Sequence, residues 1–177
     1  MKFFLSGCIT TLLLIAVGAY VLLDLGLFSF RADQTPSGFE QKYATQALDA
    51  STKRHAPDIK NPIPTTDANL LEAMKLYKTN CANCHGDPGD PKPIVGSSFY
   101  PPVPRFLEDA PDMPENENFY IIKHGIRFTG MPGWGNNFSD DQLWKLTAFV
   151  SQMGKLPPPV DQEWKNSKSA AKSGNSD

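Results

Sequence analysis

Two thiols and an imidazole stand together in Cys81-Ala82-Asn83-Cys84-His85. Cysteines three residues apart can each add across one vinyl group of a haem to form thioethers. The histidine directly behind the second then falls under the iron as an axial ligand. Competing chemistries need partners this chain does not supply. A redox dithiol of the same spacing sits at a strand-to-helix junction, whereas these flanks read as helix before and loop after. A structural zinc site needs four ligands, and the third cysteine, Cys8, lies far upstream in an apolar run.

A second axial ligand is available in Gly130-Met131-Pro132-Gly133-Trp134-Gly135. A thioether held in a rigid glycine/proline loop favours ferrous over ferric iron relative to a second imidazole. Of the five methionines, Met131 alone stands in such a loop between two expected helices. His124 precedes a helix-ending glycine, where a cation meets the helix dipole favourably, and reads as a surface residue. His55 falls in a polar spacer. Arg105, Arg127 and Trp134 are candidates for contacts with the haem propionates or the haem edge.

These residues must be positioned by a chain of 177 residues, 20% charged and 40% hydrophobic, which suits one modest domain with accessory segments. Residues 3–23 carry no charge. As a helix they span roughly 31 Å, the thickness of a bilayer's hydrocarbon core. The small residues at 17–19 resemble a signal-peptidase site, but the apolar run continues through Leu27 and Phe28, favouring an uncleaved anchor. Leu5-Ser6-Gly7-Cys8 resembles a lipobox, yet only three apolar residues precede Cys8, which reads as an ordinary member of the span.

Four segments follow: an anchor over 1–30, a polar and Pro-rich tether over 31–66, a haem domain over 67–156, and a Pro-rich tail over 157–177, disordered beyond Trp164. The tether holds a possible short helix over 39–53, then prolines that favour an extended spacer. In the domain, Leu70, Met74, Tyr77 and Cys81 recur on one helical face, with Thr66 or Asp67 available as N-cap. Prolines and glycines crowd 86–114 and leave little regular structure. A second helix is expected over 115–124, ended by Gly125, and a last one from Ser139 to about Met153. So thin a core is marginal without a prosthetic group to fill it.

The ordered set Ala73-x-x-x-Tyr77-x-x-x-Cys81-Ala82-Asn83-Cys84-His85-Gly86, Tyr120 to Ile126, Met131-Pro132-Gly133-Trp134-Gly135 and Leu143 to Val150 resembles class I c-type cytochromes of the bacterial, mono-haem, membrane-anchored kind. The resemblance covers about residues 67–156. It implies an all-α fold: an N-terminal transmembrane helix plus three or more short helices wrapped around one covalently attached haem c. It implies thioethers at Cys81 and Cys84, axial His85 and Met131, and packing of Ala73 and Tyr77 against Leu146 and Phe149. It also implies a proline carbonyl that accepts the second imidazole N–H of His85; Pro91, Pro93, Pro101 and Pro102 compete for that role.

The function so implied is electron carriage between a donor and an acceptor protein of a respiratory or oxidative chain, with no catalysis by the chain itself and no nucleic-acid partner. The haem domain is expected outside the cytoplasmic membrane, where attachment of the bacterial kind takes place. An electron-relay subunit of a membrane dehydrogenase or oxidase is the alternative, and a gas or redox sensor a weaker one. Residues 67–156 hold 8 Lys plus Arg against 11 Asp plus Glu, a net charge of −3, so steering by a uniform field is modest.

Overall fold

A 23-residue helix, α1 (Lys2–Asp24), opens the computed structural model, which describes residues 1–27 and 29–166. It is long and apolar enough to cross a membrane and buries none of its side chains. Helix α1 lies within a compact unit of residues 1–32; a second unit begins at Asp33.

In that second unit α2 (Gly38–His55) starts at Ser37, whose hydroxyl accepts from the Glu40 N–H at 3.1 Å. It is followed by α3 (Asp67–Asn80), α4 (Ala82–His85), α5 (Ile94–Ser97), α6 (Glu115–His124), α7 (Asp140–Ser151) and α8 (Pro158–Asn166). The described residues form no strand, only one isolated bridge between Asp87 and Asp90. The fold is all-α.

Capping fixes the helix bounds. Thr66 caps α3 by accepting from the Asn69 N–H at 3.3 Å. Ser139 and Gln142 form a reciprocal capping box on α7, which satisfies two backbone donors that the first turn leaves orphaned. The apolar stripe of α3 (Leu70, Ala73, Met74, Tyr77) packs on α7, where Leu146 and Phe149 are buried in the same cluster. The Tyr77 and Phe149 ring centroids lie 5.6 Å apart. A second cluster joins α6 to α7 through Phe119, Ile122, Leu143 and Trp144, with Phe119 stacked on Trp144 at 3.9 Å.

Two segments depart from the sequence expectation. The stretch 157–166 is no tail: Val160 and Trp164 of α8 are 0% and 3% exposed, and the Trp164 ring meets Tyr77 and Phe149 edge-on at 5.6 and 5.3 Å. Helix α7 ends at Ser151, ahead of the proline run, and the run itself starts α8, because a first-turn proline loses no intrahelical hydrogen bond. The expected disorder past this helix concerns residues 167–177, which lie outside the described ones.

Nor is the whole of 31–66 a free tether. Helix α2 packs on α6, and Thr52 is buried. Asn116 Nδ2 donates to the Pro57 carbonyl at 3.0 Å, and Asn61 Nδ2 to the Trp144 carbonyl at 3.1 Å. Ile63 packs against the α6/α7 cluster.

Candidate haem-attachment site

Helix α3 ends by presenting the first thiol. The Cys81 N–H donates to the Tyr77 carbonyl at 2.7 Å, and the His85 N–H to the Cys81 carbonyl at 2.9 Å, closing α4 as a single turn. Cys81, Cys84 and His85 therefore follow one another around one tight coil. Cys81 packs against the α3/α7 core. Burial, with the neighbouring Cys84 adding to it, pushes its thiol up to about 12, and burial also raises that of Cys84. Cys84 opens into a cavity of about 240 Å³ lined by Pro93, Pro102, Val103, Arg105 and Glu108. The backbone of α5 closes on this turn at Gly96, where any Cβ would collide with the Cys84 carbonyl.

The imidazole of His85 is fixed from two sides. Its Nδ1 lies 2.9 Å from the Pro104 carbonyl oxygen. A carbonyl only accepts, so Nδ1 carries the proton and Nε2 keeps its lone pair. The ring also stacks on Phe106 at 4.3 Å and 9°. Burial lowers its affinity for a second proton, partly offset by the Pro104 hydrogen bond. The acceptor is thus Pro104, not Pro91, Pro93, Pro101 or Pro102.

The Met131 loop is pinned to the end of α6. The Trp134 N–H donates to the Ile122 carbonyl at 3.0 Å and the Gly135 N–H to that of Lys123 at 2.9 Å. The Met131 N–H donates to Thr129 Oγ1 at 3.1 Å, and its carbonyl accepts from Ile126 at 3.1 Å. Gly125 makes this possible with φ +69°; a Cβ there would sit 2.6 Å from the Gly133 nitrogen. Half-buried Met131 packs beside the α6/α7 cluster, whereas Met74 and Met153 are buried in the α3/α7 core. Segment 94–99 reaches both sides, touching Cys84 through Gly96 and Gly130 through the Phe99 ring.

The remaining candidates are placed as follows. Arg105 borders the Cys84 cavity and pairs with Glu108 at 3.6 Å. Arg127 is exposed. Trp134 stacks on Phe138 at 5.4 Å and packs against the α6/α7 cluster. Exposed His124 lies 4.7 Å from the Tyr120 ring, and His55 Nδ1 donates to the Ser51 carbonyl at 2.8 Å. Pro104 and Phe106 were not singled out in the sequence. A backbone acceptor has no residue-type signature, and Phe106 reads as one more apolar residue in a breaker-rich loop.

The donor set fits a haem: two thiols, an imidazole nitrogen with a free lone pair, and a thioether in a braced loop. The apolar surface fits as well. Ile94 and Val95, next to Gly96, and Phe128, three residues before Met131, are 83%, 51% and 94% exposed, while apolar side chains of α3, α6 and α7 are largely buried. Residues 68–150 match the family model of cytochrome c oxidase, cbb3-type, subunit III. This is a c-type cytochrome domain. Its cofactor is one covalently bound haem c, in keeping with the single Cys-x-x-Cys-His motif of the chain.

The cytochrome domain is similar to a Cbb3-type cytochrome c oxidase subunit FixPc of Rhizobium leguminosarum bv. viciae, 32% identical over 96 residues; the match covers 50% of this chain and 30% of that relative. Among solved structures it is similar to a chain of the Kuenenia stuttgartiensis reducing HAO-like protein complex, at 23% identity and a TM-score of 0.45, covering 55% of this chain and 50% of that one.

Proposed function

We propose that this chain is a membrane-tethered mono-haem cytochrome c that carries electrons between redox proteins, with thioethers at Cys81 and Cys84 and axial ligands His85 and Met131. The observation that carries the reading is the Nδ1 hydrogen bond of His85 to Pro104. It fixes the tautomer and aims the free Nε2 away from the protein's own acceptor. The bound haem supplies a one-electron Fe(II)/Fe(III) couple. Everything else is positioning: α3 and α4 hold the thiols and imidazole on one turn, and the end of α6 braces the thioether. Were His85 and Met131 both to hold the iron, no coordination position would be left for a substrate, in keeping with an electron-transfer protein that is not itself an enzyme.

We assign residues 1–30 to a single-pass anchor, and place the haem domain on the extracytoplasmic side of the cytoplasmic membrane. The similarity to oxidase subunits supports a respiratory donor and acceptor. Partner contacts of electron carriers are small and transient. Arg105, beside Cys84, is the better placed of the two arginines for a propionate, and Trp134 for the haem edge.

Absorption spectra of the purified, haem-loaded protein test the ligands. Oxidised protein is expected to show the weak far-red sulfur-to-iron band, and Met131→His to lose it while haem stays covalently bound. Survival of the band in that variant would move the ligand to another methionine. Carbon monoxide added to the reduced protein is expected to leave the spectrum unchanged over minutes; rapid change would favour a sensor with a displaceable ligand.

A further inference from the structure

The carboxylate of Asp87 is 0% exposed and lies two residues beyond His85. Its Oδ1 accepts from the Gly89 N–H at 2.8 Å and the Asp90 N–H at 2.9 Å, closing the turn that the Asp87/Asp90 backbone pair brackets. Its Oδ2 is buried with no hydrogen-bond partner. Turn closure alone does not explain the residue. Asparagine or serine would supply the same acceptor, without burying a charge at a cost of several kcal/mol.

We propose that Asp87 is retained for its charge, which stabilises the ferric over the ferrous state of the His85 site and so lowers its reduction potential. Consecutive Cα atoms are 3.8 Å apart, so Asp87 lies within about 7.6 Å of His85 along the backbone. Charges held inside a protein are screened far less than in water. Burial raises the Tyr77 hydroxyl, with Cys81 and then the Asp87 carboxylate adding to it, and burial lowers the Lys78 ammonium, with Asp87 opposing that fall. Tyr77 adds a fixed dipole on the same turn, its hydroxyl donating to the Gly86 carbonyl at 2.9 Å. Lys78, on the neighbouring turn of α3 with its ammonium 4.9 Å from the Trp164 ring centroid, opposes Asp87 as a partial counter-charge. The pair sets the potential between them.

The inference rests on His85 as an iron ligand, and potentiometry of the full-length, haem-loaded protein tests it. Asp87→Asn is expected to shift the reduction equilibrium about tenfold toward the ferrous form, which is about 59 mV for one electron. Asp87→Ser, which keeps an oxygen for the two N–H donors, should shift it the same way. Lys78→Gln should shift it oppositely, and Asp87→Asn with Lys78→Gln should return near the parent value. Far-red and Soret bands should stay in place throughout, because only charge changes. Unchanged potentials in both Asp87 variants with those bands intact would overturn the inference, as would a Lys78→Gln shift in the same direction as Asp87→Asn. Absence of the far-red band from the parent protein would instead sink the Met131 assignment, leaving the Asp87 comparison valid with haem on His85.

Discussion

His85, Cys81 and Cys84 differ in how far their environments could be anticipated. The pentapeptide names all three because attachment chemistry demands those residue types at that spacing. What holds the imidazole is a main-chain oxygen of Pro104 and a face of Phe106, and neither leaves a chemical signature in the string of residues. The two thiols also look alike in sequence but not in the fold. Burial pushes Cys81 to about 12, so before haem attachment it reacts as a neutral thiol, and only the thiolate is nucleophilic. Alkylation of the haem-free chain at pH 8, followed by peptide mapping, should label Cys84 before Cys81. The sign for stability follows from the raised value. Folding favours the protonated thiol, so this contribution is full below the ordinary value of 9.0 and is lost as pH rises toward about 12. Alkaline melts of the haem-free chain should decline across that window, and Cys81→Ser should flatten the decline.

At the level of helices, α3, α6 and α7 were legible because each carries both a periodic apolar face and a terminator: Thr66, Gly125 and the Ser139/Gln142 box. Ser139→Ala should cost about 1 kcal/mol, the usual worth of an N-cap, measurable by denaturant unfolding. Helix α8 was hidden by the three prolines at its start, Pro157 ahead of it and Pro158 and Pro159 in its first turn, which read as a full stop. Its two buried residues, Val160 and Trp164, are too few for a periodic signal, yet Trp164 closes the face of Tyr77. Trp164→Ala should destabilise the domain by roughly 3–5 kcal/mol, as truncating a fully buried aromatic does, and should expose Tyr77 to fluorescence quenchers.

Taken whole, the second unit is larger than the haem domain read from sequence, because 52–66 docks on α6 and α7. That docking rests on Thr52, Asn61, Ile63 and Asn116. Side-chain amides reaching backbone carbonyls carry no hydrophobic periodicity, so a polar, Pro-rich composition concealed them. Asn61→Ala should leave the haem spectrum unchanged while speeding amide hydrogen exchange in 52–66, since the bond from Asn61 to the Trp144 carbonyl is lost and a local opening becomes easier. A net charge of −3 over 67–156 should make electron exchange with soluble partners only weakly dependent on salt.

The position of Trp164 has a consequence for biosynthesis. On the proposed extracytoplasmic placement of the haem domain, a chain threaded outward from its amino end would deliver Cys84 about eighty residues before Trp164. During that interval nothing from α8 would cover Tyr77. A haem attached during that interval would be in place before the indole docks on Tyr77.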